Sequence, residues 1–194
     1  MNAWVAKKRW LFYFLVAAIG STLALSPVMI AYAASAREIN TSADVALDRF
    51  YKEVKGAQEF AKNAKGLLIL PGVIKAGLAL AGEYGEGALR VGGKTVAYYN
   101  ITAASFGLTI GAQKKDIIIA FMTDEALRQF RVSEGWEAGV DGNVALMDIG
   151  AGTRLDTTIM RDPIVGFVFG AKGLMADVSL KGSKLSRLDK SKDK

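Results

Sequence analysis

The chain has 194 residues, enough for one domain plus a targeting segment, and 51% of them are hydrophobic, enough to fill a core. Its net charge of +6 sits mainly at the two ends, so it does not describe a basic fold, and a nucleic-acid-binding face with interleaved aromatics is not indicated. With no cysteine and no histidine, disulfides, thiol nucleophiles, Cys-based metal sites and imidazole general bases are all excluded.

Residues 1–33 read as a signal peptide. Lys7-Lys8-Arg9 forms a positive start, Trp10 to Leu25 is uncharged and mostly apolar, and Ser26-Pro27 breaks it. Ala31-Tyr32-Ala33 then gives the small-x-small pattern of a cleavage site. This predicts export to the periplasm with Ala34 as the new N-terminus. An uncleaved membrane anchor over Trp10–Ala36 is the alternative, since ~20 apolar residues span a bilayer. A lipoprotein anchor is excluded because it needs a cysteine.

The next segment predicts a helix from Ala43 to Lys65. Leu47, Phe50, Tyr51, Val54, Ala57 and Ala61 recur at three- and four-residue spacing, with Thr41 or Ser42 as cap and Gly66 as stop. Lys52, Lys55, Lys62 and Lys65 fall mostly off the apolar face. Such a helix can lie on a membrane, although packing on a sheet is the more ordinary use.

Strands follow. Leu67–Leu70 and Ile117–Met122 are continuous apolar runs, and Ala88–Val91 and Val96–Tyr99 flank Gly92-Gly93, a usable hairpin turn. Ser105–Gln113 alternates a bulky face with a small, smooth one, which predicts tight packing against the latter. A short helix is expected over Asp124–Phe130 with Thr123 as cap. Further strands are expected over Val140–Met147, Arg154–Ile159, Ile164–Phe169 and Leu174–Leu180, and over 184–194 a basic tail that either meets anionic lipid headgroups or is a plain solubilising end. The predicted class is α+β: a curved, mainly antiparallel, barrel-like β-sheet with an N-terminal amphipathic helix packed on it.

Three chemical signals fail on inspection. Gly92-Gly93-Lys94-Thr95 ends like a phosphate-binding loop, but the first glycine would have to stand at Ala88, and the pair joins strands instead of opening a helix. Gly82-x-x-Gly85-x-Gly87 has the wrong spacing for a dinucleotide loop. Asp141, Asp148, Asp156 and Asp162 lack the compact spacing of a calcium loop and read as turn residues. No catalytic residue, metal site or cofactor is predicted.

Three glycine-punctuated blocks carry a resemblance. They are Lys65–Gly77 running on to Gly82-Glu-Tyr-Gly-Glu-Gly87, Ser105–Gln113, and Lys172–Ser183. In order and spacing they resemble the SYLF-domain family of lipid-binding proteins, over roughly Asp44 to Ser183. The matching positions are Gly66, Pro71, Lys75, Gly77, Gly82, Tyr84, Gly85, Gly87, Ser105, Gly107, Gly111, Gln113, Asp141, Val144, Gly173, Leu174, Ser179 and Gly182. The resemblance implies a lipid-binding domain over 34–183 with no enzymatic activity. It implies acidic phospholipids or a membrane surface as partner, as relatives bind phosphoinositides. Fungal relatives also bundle actin, a partner not expected for an exported protein. Lys52, Lys55, Lys62, Lys65 and Lys75 are the residues expected to meet lipid headgroups. The alternative is a structural envelope protein whose curved sheet binds a protein partner or self-associates.

Overall fold

The computed structural model describes residues 34–149, 155, 159, 161–173 and 179–191. The predicted signal segment and most of the expected strands at Arg154–Ile159 and Leu174–Leu180 lie outside them.

The N-terminal helix comes in two pieces. α1 spans Ala36–Glu53 and starts on a capping box: Glu38 N–H donates to Ser35 Oγ at 3.3 Å, and Ser35 N–H donates to Glu38 Oε2 at 2.8 Å. It therefore begins ahead of the expected Thr41–Ser42 cap, and Thr41 instead donates its hydroxyl to the Arg37 carbonyl inside the helix. Gly56, at φ 86°, breaks the expected single helix, and α2 follows over Ala57–Asn63.

Two strands then dominate. β1 runs from Gly66 to Val91 and β2 from Lys94 to Phe121, paired antiparallel through almost their whole length. Gly92 and Gly93 form the turn with φ of 57° and 78°, the left-handed pair that a tight two-residue hairpin requires. Straight, β1 would reach roughly 85 Å, far more than a small domain's width, so the hairpin has to curl. Register shifts at Leu70/Val73, Leu78/Leu80 and Leu89/Arg90 bend it. Its two halves come back against each other at two glycines. A Cβ on Gly85 would stand 3.1 Å from Val73 Cα, and one on Gly87 would collide with the Ile69 carbonyl oxygen. The close approach expected along Ser105–Gln113 is not made at Gly111, where a Cβ would have no neighbour within 4 Å.

β2 is the centre of the sheet. One edge carries β1; the other is shared between β5 (Ile164–Gly173), along Gln113–Phe121, and β6 (Lys184–Leu188), along Tyr98–Thr102. β3 (Gly135–Glu137) pairs with β6, and β4 (Ala145–Asp148) runs parallel to β5. The product is one curled, mixed sheet, a half-barrel with α1 packed on its outside. The α+β expectation holds, with one parallel pair added. The expected strand from Val140 begins instead at Ala145, because Val140 and Asp141 turn back to the Glu137 carbonyl.

Burial divides into two layers. Inside the curl, Leu68, Leu70, Leu89, Ile117 and Ile119 meet Tyr99, Phe130 and Trp136. Phe130 belongs to α3 (Asp124–Val132), whose start is capped as expected: Ala126 N–H donates to Thr123 Oγ1 at 3.2 Å. Outside, Ile39, Ala43, Ala46 and Phe50 of α1 cover Ile69, Ala88, Ile118, Ala120 and Phe167, with the Phe50 and Phe167 rings 4.9 Å apart.

The expected basic tail is in large part structure. Lys184–Leu188 is a strand with Leu185 in the core. The Lys190 side chain is 7% exposed; its ammonium donates to the Ala34 carbonyl at 2.7 Å and lies 3.5 Å from Glu86 Oε2. Leu185 and Leu188, two apolar residues among lysines, suffice to complete the edge of β2.

Candidate functional site

One cleft gathers cations and hydroxyls. It lies where the edge of α1 (Thr41, Ser42, Val45, Arg49) passes the bulge at Pro71-Gly72, opposite Lys114 and Asp116, and it encloses about 320 Å³. The bulge is built by Gly72, at φ 60°, whose N–H donates to Asp116 Oδ1 at 2.8 Å. Lys114 lays its stem over that glycine, its Cε 2.7 Å from where a Cβ would be; that flexible end could move aside, so it is the left-handed φ that calls for glycine here. Arg49 Nη1 pairs with Asp116 Oδ2; the carboxylate is 8% exposed and the guanidinium side chain 39%. Two cations against one satisfied carboxylate leave the cleft with a net positive charge. With the Ser42 hydroxyl beside them, its chemistry suits an anion.

The lysines expected at headgroups divide. Lys52 ends α1, Lys55 sits in the break, Lys62 ends α2 and Lys65 precedes β1; all four are exposed. Lys65 lies 4.0 Å from Asp124. Lys75 is different: at 7% exposure it points inward, on the same face as Val73, because side chains alternate along β1. It is therefore corrected out of the headgroup set. Arg49 and Lys114 take its place in the cleft. Arg49 was detectable in the spacing Ser42–Val45–Arg49–Lys52, one stripe along the helix edge. Lys114 had no local signal, since only the bulge brings it there.

Lys75 joins an enclosed polar group. Its pairing partner Gln113 is 3% exposed, and beside them Lys115 and Glu83 form an ion pair of 3.2 Å with side chains 1% and 4% exposed. Glu83 Oε1 accepts no hydrogen bond. All four residues are buried, so the group is closed to a ligand arriving from solvent.

A wider groove of about 610 Å³ runs beside Trp136, with Glu125, Asp141 and Asp162 among its walls. It is the larger of the two but acidic, and repels an anionic ligand. Asp141 is the turn residue expected, accepting the Glu137 N–H at 2.7 Å. Among the aromatics, Trp136 and Tyr99 are core residues, whereas Tyr84 is exposed and donates to Glu86 Oε1 at 2.6 Å.

Residues 102–194, from the middle of β2 onward, match the profile of a family described as Ysc84, Las17-binding protein actin regulator. Comparison with individually curated proteins finds no match.

Proposed function

We propose, from the premise that residues 102–194 belong to the Ysc84 (SYLF) family, that this protein binds acidic phospholipids in the cell envelope. The family is one of binding domains, not enzymes, which agrees with a molecule that binds without turning over a substrate. The observation that carries the reading is the positive cleft of Arg49 and Lys114, continued along the helix edge by Lys52. From Lys52 to Lys65 four lysines stand against Glu53 and Glu59, so this stretch keeps a positive balance. Each basic residue near an anionic membrane contributes about 1 kcal/mol. A handful of them gives a reversible, salt-sensitive attraction, which is the proposed mode. The description of the family as an actin regulator is a property of that family; the predicted export signal argues for lipid as this chain's partner.

The test is co-sedimentation with vesicles of phosphatidylcholine alone and with added phosphatidylglycerol. Lys114→Glu and the pair Lys52→Glu/Lys62→Glu each change exposed residues, so folding is preserved. Reversal of two charges is expected to weaken binding to the acidic vesicles at least tenfold, since about 1.4 kcal/mol is a factor of ten. Equal binding to both vesicle types, or no effect of the reversals, would defeat the reading.

A further inference from the structure

The helix that a sequence would nominate for membrane insertion spends its apolar stripe on the sheet, and of its large apolar residues Val45, in the cleft wall, stays exposed. Ile39, Ala43, Ala46 and Phe50 are each at most 3% exposed against the outside of the sheet. The sheet's outer face, however, runs on beyond the helix. Along β1 the residues pointing outward there are Ile74, Ala76, Leu80, Gly82 and Tyr84, and their neighbours on β2 include Ala112, Ala104 and Thr102. Ile74, Leu80 and Tyr84 are 52%, 54% and 47% exposed.

The inward positions of the same stretch carry the polar groups: Lys75, Glu83, Gln113 and Lys115. A half-buried strand in water shows the opposite alternation, apolar in and polar out. Both halves of the inversion fall on one segment, the bend of the hairpin. Apolar-out, polar-in alternation is the pattern of a sheet whose outside faces lipid. The charges around this face have the matching sign. Lys114, paired with Ile74, is exposed at one end, and Lys184, paired with Thr102 in the row of Tyr84, is exposed at the other. The carboxylates of these strands, Glu83, Glu86 and Asp116, have side chains at most 8% exposed.

We propose that the outer face of the bent β1–β2 hairpin, centred on Ile74, Leu80 and Tyr84, is the surface that enters the apolar part of an anionic bilayer, with Lys114 and Lys184 at headgroup level. This rests on the phospholipid reading and names the part of the molecule that makes apolar contact. It shifts that contact from the helix to the hairpin. Lysines at the rim can keep their ammonium groups in the headgroup layer while their stems follow the apolar face.

The chain contains no cysteine, so Leu80→Cys gives a single labelling position for an environment-sensitive dye, and Val132→Cys, 77% exposed on α3, gives a control. With phosphatidylglycerol-containing vesicles, the dye at position 80 is expected to shift to the blue and to be quenched by spin labels on the acyl chains. The dye at position 132 is expected to do neither. Separately, Ile74→Asp/Leu80→Asp, at exposed positions, is expected to retain its melting temperature while losing at least tenfold of the binding that survives high salt. If the protein binds acidic vesicles but the dye at position 80 stays in water, the hairpin proposal is overturned and the phospholipid reading stands. If no form binds, both fall. A blue shift without vesicles, accompanied by a doubling of mass in solution, would overturn the proposal in favour of self-association through this face.

Discussion

Replacing Gly87 with alanine tests the way β1 folds back on itself. The added methyl would collide with the Ile69 carbonyl oxygen and stand 2.9 Å from Leu70 Cα. Both obstacles are backbone of a paired strand, so no rotamer change relieves them, and the two halves of β1 must separate by the order of 1 Å. Overpacking a close-packed interior costs about 1–3 kcal/mol, and a backbone obstacle belongs at or above the upper end. For a domain of this size, each kcal/mol lowers the melting temperature by about 2–4 °C, so Gly87→Ala is expected to lose roughly 6–12 °C or more. Gly85→Ala meets Val73 Cγ2 at 2.7 Å and Val73 Cα at 3.1 Å. It should be milder, and Val73→Ala should relieve it in a double-mutant cycle without helping Gly87→Ala. Gly82, three residues before Gly85, has nothing within 4 Å of the same position. Gly82→Ala should therefore be neutral or slightly stabilising, by the chain entropy that alanine removes from the unfolded state. Circular dichroism melts of the three variants give the order. Equal melting temperatures for Gly87→Ala and Gly82→Ala would refute the fold-back.

Lys190→Met removes one partner of a pair whose side chains are 7% and 8% exposed, and is expected to cost about 3–5 kcal/mol in urea unfolding; Lys190→Met/Glu86→Gln should recover part of it. Ending the chain after Ser183 deletes β6 and the buried Leu185, so loss of the cooperative melt is expected, where a detachable tail would leave it intact. Partial burial, and then the hydrogen bond to Glu86, pushes the half-exposed Tyr84 up to about 12, and burial raises Tyr51 and Tyr99 as well. Because the folded value lies above the unfolded value of 10.0, this contribution to stability is complete below pH 10.0 and is lost as pH rises towards about 12. Melts paired with tyrosinate absorbance check it, and a stability that is unchanged while Tyr84 ionises would contradict it. With no histidine in the chain, vesicle binding should stay flat between about pH 5.5 and 7.5, as measured by co-sedimentation at fixed salt.

What could be read in advance was set by local chemistry. The Gly92-Gly93 turn, the Thr123 cap and the apolar run at Ile164 each depend on a few adjacent residues, and each stands where the sequence put it. The start of α1 was missed because the Ser35–Glu38 capping box abuts the predicted cleavage site and draws attention less than Thr41-Ser42 does. The two long strands looked like five short ones because glycines between Gly72 and Gly87 interrupt the alternation. Those at Gly85 and Gly87 answer to backbone contributed by Ile69 and Val73, a dozen or more positions away, which a local pattern cannot display. The same bend explains Lys75: its inward direction follows from the parity set after the Pro71-Gly72 bulge, and from nothing in its immediate neighbours. For the cleft, the helix edge was legible and the facing Lys114 was not.

The enclosed Lys115–Glu83 pair bears on how the hairpin would meet a bilayer. An ion pair taken out of water rarely stabilises a fold more than apolar residues of the same volume would, and Glu83 Oε1 is left without a hydrogen bond. Stability alone therefore gives little reason for lysine and glutamate inside the bend while isoleucine and leucine lie outside it. A requirement on the outer face does give one: once the outward positions are apolar, polar residues on the inward side lower the segment's total hydrophobicity and discourage it from turning over. The fold-back at Gly85 and Gly87 acts in the same direction, holding the base of the hairpin against Ile69 and Val73 so that its outer face is displayed ready-made. A helix that had to peel away from Phe167 and Ile118 before inserting would first lose the core built around Phe50. Insertion through the hairpin requires no such loss. On this argument the helix content measured by circular dichroism should be the same on vesicles as in solution, whereas insertion through α1 would change it together with the packing of Phe50.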